Sequence, residues 1–288
     1  MKLALLTCSK FPELIEADRK LLPLLLEKGY ETEIVVWDQP KIKWESFDCL
    51  IFRNTWDYYE KEEEFRKWLE KLNSQKLKTV NPLTLIQWNL HKFYLKELEE
   101  KGIPILKTFF LEKGNFFDFE NQVPQEMDEL VLKPAFSAGS YLTIKFKRES
   151  WKQVFQTYKE HFSNKDFLLQ PFRPEIQSLG ETSMIFFNGR FSHAVNKKPK
   201  ENDFRVQVQY GGIYNSFQPT SVLIQQAKKV IHALPQQSMY ARVDGIVKEG
   251  AFELMEIELI EPDLYFNIVP DAKLRFVNAI DEWLLKSS

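Results

Sequence analysis

Residues 239–266, MYARVDGIVKEGAFELMEIELIEPDLYF, hold the pattern on which the interpretation of the whole chain depends. The stretch predicts two strands joined by a turn at residues 248–250, where a glycine follows two charged residues. Glu256 and Glu258 stand two residues apart among apolar neighbours, and because strand side chains alternate between faces, both must point to the same side. Asp244, on the first strand, is placed to reach that side as well.

Two carboxylates side by side on an otherwise apolar strand repel each other. A hard divalent cation held by oxygen atoms would relieve that repulsion. The alternative, in which these acids line a solvated sheet face, stays open on this stretch alone because acids are mostly exposed. The choice between the two depends on what precedes the hairpin.

The composition is typical of a soluble globular protein, with 288 residues of which 44% are hydrophobic and 28% charged. A chain of this length is expected to form two or three compact units. The net charge of -2 argues against a dedicated nucleic-acid binder, since neutralising phosphates requires a basic excess. No apolar run suits a signal sequence or a membrane span, and Cys8 and Cys49 make no disulfide framework, so a cytoplasmic location is expected.

The first 82 residues predict a small open α/β unit. Strands at 2–7, 33–37 and 49–54 alternate with amphipathic helices at 14–28 and 60–72. Ligands of such a sheet gather beyond the carboxyl ends of its strands, where residues 53–57 fall. An arginine paired with an aspartate in an ordinary turn would explain that segment equally well. A single helix carrying Lys92 is predicted next, at residues 83–101.

Strand patterns dominate from residue 107 onward. A short apolar strand at 130–134 ends in Lys133-Pro134, and the small residues that follow at 135–140 would let backbone N–H groups approach an anion. A plain hairpin connection explains this segment as well, and the Walker spacing is absent. Further strands are predicted at 107–111, 142–146, 167–170, 184–187, 190–195 and 204–209, and further helices at 149–162, 220–234 and 271–286.

The second half of the chain carries cations on or beside several strands, namely Lys133, Lys198, Arg205 and Arg242. Cations that hold a polyphosphate beside acids that hold its magnesium are what phosphoryl transfer requires, because its catalysis is mostly positioning and charge neutralisation. The four histidines lack metal-ligand spacing, and no Ser-His-acid or Cys-His nucleophile set is found. The charge pattern therefore favours a nucleotide site.

Several short motifs follow one another along the chain in a definite order. They are Leu132-Lys133-Pro134 with the loop 137–140, Gln170-Pro171-Phe172, Gly180-Glu181, Asp203-Phe204-Arg205, Arg242-Val243-Asp244-Gly245 and Met255-Glu256-Ile257-Glu258. In this order the motifs resemble the ATP-grasp ligases over nearly the whole chain. The likeness is greatest to the glutathione-synthetase-like branch, which includes the D-cycloserine-forming ligase.

This resemblance implies an α/β (α+β) ATP-grasp fold in which an N-terminal open α/β unit precedes two α+β units that clasp ATP. The implied domains are residues 1–82, the N-terminal domain; residues 83–178, the central subdomain with its linker helix; and residues 179–288, the C-terminal subdomain with the metal site.

The resemblance also implies roles for individual residues, with ATP and Mg²⁺ as cofactors. Phosphates would be held by Lys92 and Lys133 under a loop containing Ser137, Gly139 and Ser140, adenine would meet Gln170, Pro171 and Phe172, and ribose would meet Glu175 or Glu181. Asp244, Glu256 and Glu258 would bind one or two magnesium ions, and Arg205, Arg242 and Lys198 would act on the reacting groups.

Two positions depart from the pattern common in this family. Many relatives carry asparagine where this chain has Glu258, which makes the expected metal site more acidic than usual. Many also carry arginine where this chain is expected to use Lys198, and lysine cannot make the same planar two-pronged contact.

The function expected from the resemblance is ATP-dependent ligation of a carboxylate to an amine through an acylphosphate, on a small amino-acid-like or peptide substrate. The expected partners are small molecules, without nucleic acid or membrane, and the oligomeric state stays open with a dimer among the options. Two alternatives are phosphoryl transfer without ligation and a nucleotide-binding module without catalysis. The intact acidic cluster disfavours the second alternative.

Overall fold

The computed structural model describes residues 1–115, 117–201 and 203–286. Within these residues the strands form three sheets, each built from its own stretch of the chain. No helix in this part of the chain is both long and apolar enough to cross a lipid bilayer.

The first sheet is parallel, with the strand order β2-β1-β3. Its region contains β1 (Lys2–Thr7), α1 (Glu16–Arg19), α2 (Leu21–Glu27), β2 (Glu31–Val36), β3 (Cys49–Asn54) and α3 (Glu62–Ser74). The single helix predicted at 14–28 is interrupted at Lys20. Pro23 has no N–H with which to bond the carbonyl oxygen of Arg19, so one continuous helix cannot run through this point.

The single helix predicted at 83–101 is likewise two helices, α4 (Leu83–Asn89) and α5 (Tyr94–Glu100). The break contains Lys92, whose backbone N–H donates to the carbonyl oxygen of Ala135 at 2.8 Å. The side chain of Asn89 donates to the carbonyl oxygen of Ile257 at 2.8 Å and so ties the break to the C-terminal hairpin. These contacts position Lys92 between the second and third sheets.

The second sheet is antiparallel, with the strand order β4-β7-β5-β6. Its region contains β4 (Phe109–Leu111), α6 (Phe119–Gln122), β5 (Glu129–Pro134), β6 (Ile144–Lys147), α7 (Trp151–Thr157), α8 (Lys159–Asn164), β7 (Phe167–Pro171) and α9 (Glu175–Ser178). The rings of Phe119 and Trp151 stack in its core with centroids 4.7 Å apart.

The third sheet is antiparallel, with the strand order β10-β9-β8-β11-β12. Its region contains β8 (Glu181–Phe187), β9 (Arg190–Lys198), β10 (Ile213–Phe217), α10 (Ser221–His232), β11 (Tyr240–Lys248), β12 (Ala251–Glu258) and α11 (Ala272–Lys286). The strand predicted at 204–209 is wrong, and β10 follows instead. The chain doubles back so tightly there that a side chain at Gly212 would place its Cβ 1.8 Å from the carbonyl oxygen of Val206.

The hairpin of β11 and β12 contains a β-bulge that sets which side chains face each other. The register places Asp244 opposite Glu256, then shifts so that Gly245 lies opposite Leu254. Only glycine fits this bend, since a Cβ at Gly245 would lie 2.3 Å from the carbonyl oxygen of Glu253. The bulge therefore places Asp244 opposite Glu256 and Arg242 opposite Glu258.

The first sheet packs against the third through a shared hydrophobic core. Leu3 and Ile51 of the first sheet belong to the same buried cluster as Ile185 of β8 and Phe276 of α11. The junction is therefore a continuous packed interface.

Candidate active site

A cavity of about 560 Å³ lies between the second and third sheets, and the N-terminal region closes one end of it. Strands β5 and β7 contribute one wall, and strands β8, β9, β11 and β12 contribute the other. Lys10, Phe11, Trp56, Tyr58 and Tyr59 line the end towards the first sheet. A separate open depression of about 700 Å³ beside Trp151 contains none of the predicted site residues.

The three carboxylates predicted to bind metal lie together on the hairpin wall. Asp244 is opposite Glu256, and Arg242 is opposite Glu258. Because alternate strand residues share a face, all four side chains point into the cavity, which they line. Asp244 is 2% exposed, whereas the side chains of Glu256 and Glu258 are 27% and 30% exposed. Two of the three acids are thus accessible from the cavity.

Each of these carboxylates contacts a cation of the chain. Arg242 donates from Nε to the two oxygens of Asp244 at 3.1 and 2.9 Å, and from Nη2 to Glu258. Lys92 Nζ lies 2.9 Å from Glu256. The repulsion expected between neighbouring acids is therefore partly offset by basic side chains.

The pKa values of the two accessible acids move in opposite directions. Burial favours the neutral form of Glu256, but the ammonium groups of Lys92 and Lys133 outweigh burial and lower its pKa. Burial raises the pKa of Glu258 to about 7, with help from two neighbouring carboxylates and against the effect of Arg242. The charged form of Glu258 is thus less stabilised by its surroundings than that of Glu256.

Lys198, predicted to act in the site, is exposed at the end of β9 and does not line the cavity. The neighbouring Lys197 points inward instead, because successive strand residues face opposite sides. Its Nζ lies 2.6 Å from Glu181 and 3.8 Å from Asp244. Burial opposes the charged form of Lys197, but these two carboxylates outweigh burial and raise its pKa well above the usual range.

Lys133 lies on β5 and lines the cavity opposite the acidic wall. Among the described residues its ammonium group has no hydrogen bond or ion pair. Burial lowers the pKa of Lys133, opposed by the nearby Glu256. Its ammonium group is therefore available to an anion that enters the cavity.

The small-residue loop at 137–140 forms the edge of the cavity beside these lysines. Ser137, Gly139 and Ser140 line it, and the backbone is left-handed at Gly139 (φ 58°) and Ser140 (φ 62°). A Cβ at Gly139 would lie 3.6 Å from the side-chain nitrogen of Gln209, so this loop faces the segment 206–212. Two loops thus border the same opening.

The end of β7 supplies the apolar edge predicted for adenine. Gln170, Pro171 and Phe172 line the cavity. Of the two acids predicted as ribose contacts, Glu181 lines the cavity and Glu175 does not. Glu175 pairs instead with Lys248 at 2.7 Å and with Arg173 at 3.1 Å.

Arg205 lines the cavity but is separate from the acidic wall in its contacts. It pairs with Asp203 at 2.9 Å, and its guanidinium carbon lies 3.6 Å from the ring centroid of Tyr210. The guanidinium group lowers the pKa of Asp203 to about 2. This arrangement holds Arg205 in the loop between β9 and β10.

The acids of the hairpin wall have the donor chemistry of a magnesium site, because all of their donors are carboxylate oxygens. In the described part of the chain, however, no group of three or more His, Cys, Asp or Glu side chains is arranged around a common metal position. The three carboxylates are instead paired with Arg242 and Lys92.

Several polar residues that line this cavity were not among the predicted site residues, namely Lys197, Tyr58, Glu261 and Asp263. Lys197 lies opposite Glu181 because the register shifts within the β8–β9 hairpin, and the sequence carried no signal of that shift. Glu261 and Asp263 follow closely after the acidic strand in the sequence, and this proximity was the signal that could have identified them.

Two family models match different parts of the chain. The model described as "Prokaryotic glutathione synthetase, ATP-grasp domain" matches residues 117–268. The model described as "D-cycloserine synthetase DcsG, N-terminal domain" matches residues 3–81.

Relatives of known sequence or structure resemble the chain over nearly its full length. The cycloserine biosynthesis protein DcsG of Streptomyces lavendulae is 28% identical over 287 residues, which cover 95% of this chain and 93% of that protein. The crystal structure of D-cycloserine synthetase DcsG has a TM-score of 0.87 at 24% identity and covers 98% of this chain and 100% of its own. The D-alanine–D-alanine ligase of Bacillus anthracis complexed with ATP has a TM-score of 0.71 at 15% identity and covers 100% and 98%.

Proposed function

Because the chain belongs to the ATP-grasp ligases, through an ATP-grasp domain of the prokaryotic glutathione synthetase family, we propose that it uses ATP to join a small carboxylic acid to an amine. The observation that carries the proposal is the cavity itself. Lys92 and Lys133 face an acidic wall formed by Asp244, Glu256 and Glu258 in one space between two sheets. Binding of a polyphosphate requires cations for its phosphates and carboxylates for its magnesium, and this cavity offers both on facing walls.

In this proposal ATP occupies the cavity between the second and third sheets. Lys133, which has no partner within the described chain, and Lys92 contact the phosphates, and the loop at 137–140 covers them. Adenine lies against the segment 170–172. We assign the ribose contact to Glu181 because Glu175 lies outside the cavity.

We propose that Asp244, Glu256 and Glu258 hold magnesium when the nucleotide is bound. Their donors are all oxygen atoms, and two of the side chains are accessible. Arg242 only partly offsets the rise that burial causes in the pKa of Glu258. The metal would supply charge neutralisation on the phosphate oxygens. Before the nucleotide binds, the contacts of Lys92 and Arg242 with these acids keep the side chains of the wall ordered.

The proposed reaction has two steps. An oxygen of the substrate carboxylate bonds to the γ-phosphorus as the bond to the bridging oxygen of ADP breaks, giving an acylphosphate. The amine nitrogen then bonds to the acyl carbon, inorganic phosphate leaves with the carbon–oxygen bond pair, and the nitrogen loses a proton. Arg242, fixed by Asp244, is placed to stabilise negative charge on the acyl and phosphoryl oxygens, and Arg205 approaches from the loop.

The proposal predicts ADP release that requires magnesium, a carboxylic acid and an amine together. Glu256→Gln should abolish turnover while the protein stays folded, because the change removes a charge without changing shape. Glu249→Gln, at the exposed tip of the same hairpin, is the matched control and should retain full activity. Near-normal activity of Glu256→Gln would remove Glu256 from the metal site.

Product analysis separates ligation from the alternatives. An amide product with ADP and phosphate supports ligation, whereas a stable phosphorylated acid indicates phosphoryl transfer alone. Binding of ATP without ADP release for any acid and amine indicates a module without catalysis.

We further propose the domain boundaries 1–82, 83–178 and 179–288, each enclosing one of the three sheets. A cytoplasmic location is consistent with the two free and buried thiols, Cys8 and Cys49. The small molecules of the reaction are the proposed partners.

A further inference from the structure

One carboxylate of the cavity, Glu261, contacts no cation. It is 6% exposed and lines the cavity, yet its side chain has no hydrogen bond or ion pair to another residue within the described chain. The acids on the neighbouring strands all have basic partners, as Asp244 and Glu256 do. A buried carboxylate without a partner is costly, so its retention here points to a partner from outside the chain.

Two hydrogen bonds from side chains fix the backbone from which the Glu261 side chain projects. The indole N–H of Trp56 donates to the carbonyl oxygen of Glu261 at 2.8 Å. The hydroxyl of Tyr240 donates to the preceding carbonyl oxygen, that of Ile260, at 2.6 Å. The fold therefore sets the position of the main chain at Glu261, beside the cavity that this residue lines.

The hydroxyl of Tyr58 is a second polar group without a partner at this end of the cavity. Tyr58 is 5% exposed, lines the cavity, and makes no hydrogen bond through its hydroxyl among the described residues. Its ring is held by stacking on Phe65, with centroids 4.8 Å apart, and by an edge contact with Phe136. The negative charge of Glu261 is the largest electrostatic influence on this hydroxyl after burial.

The chemistry of this pair fits a compact cation that carries several donors. A protonated amino group has three N–H donors, which a carboxylate and a hydroxyl oxygen can accept together. Burial, reinforced by Glu258, raises the pKa of Glu261 to about 8, as expected for a carboxyl group that lacks a cation. Magnesium suits this place less well, since a phenol is a poor substitute for a carboxylate ligand.

We propose that Glu261 and Tyr58 bind the protonated amino group of the acid substrate, so that the substrate is an amino acid with a free amine. The inference rests on the proposed function, which places a substrate carboxylate beside Arg242. Arg242 acts on Glu261 electrostatically without pairing with it. The guanidinium group of Arg242 therefore complements the carboxylate of an amino acid, and the carboxylate of Glu261 complements its ammonium group. Trp56 supplies an aromatic surface at the same end.

The test is calorimetric binding in the presence of magnesium and a non-hydrolysable ATP analogue. The probes are a panel of amino acids, each compared with its N-acetyl derivative and its 2-hydroxy counterpart. Wild-type protein should bind at least one amino acid and bind both of its derivatives about 10- to 100-fold more weakly. Glu261→Gln should lose a similar factor for the amino acid while its affinity for the ATP analogue is unchanged.

Two further variants guard against a misfolded mutant. Tyr58→Phe removes only the hydroxyl and should weaken amino-acid binding about 3- to 10-fold, and Glu249→Gln should have no effect. Undiminished amino-acid binding by both Glu261→Gln and Tyr58→Phe would overturn the assignment. Equal wild-type binding of an amino acid and its N-acetyl derivative would do so too, as would the absence of binding by every panel member.

The ligase activity is assayed separately, so the two proposals can fail independently. Amino-acid binding that depends on Glu261, without ADP release for any acid and amine, refutes the ligase reaction and supports the ammonium site. ADP release with acids that lack an amino group, at rates equal to those for amino acids, supports the ligase and refutes the ammonium site.

Discussion

Arg242 shows how one side chain can set the geometry of the acidic wall. Its rigid guanidinium group bonds Asp244 through Nε and Glu258 through Nη2, and therefore fixes the separation of two acids on different strands. Lysine has a single point of charge and cannot hold both carboxylates in this way. The orientation of the wall thus depends on a side chain that also faces the reacting atoms in the proposed reaction.

His193 gives the protein a specific sensitivity to acid. The ring is buried, with Nε2 2.9 Å from the carbonyl oxygen of Leu264 and Nδ1 2.9 Å from the hydroxyl of Ser192. Burial lowers the pKa of His193 to about 4, compared with about 6.5 in an unfolded chain. Between about pH 6.5 and pH 4 this histidine is protonated in the unfolded chain but not in the folded protein. The free energy of unfolding therefore decreases as the pH falls through this range.

We expect this one group to contribute a loss of roughly 3 kcal/mol in the free energy of unfolding across that range. His193→Gln, which can still donate to Leu264, should show a flatter dependence of stability on pH. Urea unfolding at several pH values measures the slope. The exposed His232→Gln is the control, and a wild-type slope for His193→Gln would contradict the assignment.

At the scale of the element, strand β9 separates two adjacent lysines by direction alone. Lys197 is buried between Glu181 and Asp244, and Lys198 is exposed. Lys197→Met should lower the free energy of unfolding by about 3–5 kcal/mol, because it leaves the buried carboxylate of Glu181 without its cation and removes one of the two cations beside Asp244. Lys198→Met should change it by less than about 0.5 kcal/mol.

Denaturant unfolding of the two lysine variants compares them directly. The pair is closely matched, since the same substitution is made at neighbouring positions of one strand. Equal effects on stability would show that the two side chains do not face opposite sides.

Elements whose structure is set by nearby residues were predictable, and those set by distant contacts were not. The bounds of β1 and β3 match the prediction, and the turn at Asn188-Gly189 has positive φ at both residues, as that dipeptide favours. The break around Lys92 was not predicted, because it is stabilised by Ala135, which lies far along the chain.

The same distinction applies to the cavity. The order of motifs predicted which segments would meet there, since Lys133, Glu256 and Asp244 all line it. The choice of Lys197 over Lys198 depended on the register of β9 against β8, which no local pattern specified. The prediction of a strand at 204–209 was wrong because the chain turns back tightly here and brings Gly212 against the carbonyl oxygen of Val206.

At the scale of the whole molecule, the C-terminal hairpin region is joined to the N-terminal region through Asn81. This side chain is buried and donates to the carbonyl oxygens of Tyr240 at 2.9 Å and Leu259 at 2.7 Å. Its oxygen accepts from the N–H of Met239 at 2.8 Å. The acidic hairpin and the N-terminal region are thus linked directly through this buried amide.

Asn81→Ala should lower the free energy of unfolding by about 2–4 kcal/mol, because it leaves several buried backbone groups without partners. Urea unfolding followed by circular dichroism measures the loss. Asn73→Ala, on the exposed face of α3, is the control and should be close to neutral. A neutral effect of Asn81→Ala would show that the junction does not depend on this amide.

Trp56 has a practical consequence that follows from its place in the molecule. It is the only indole among the described residues that line the cavity, whereas Trp37, Trp44 and Trp68 pack together in the N-terminal core. Ultraviolet emission from Trp56 depends on the polarity around its ring, so filling or emptying of the cavity changes the spectrum of the unlabelled protein. The chain therefore carries a native fluorophore with which occupancy can be followed in real time.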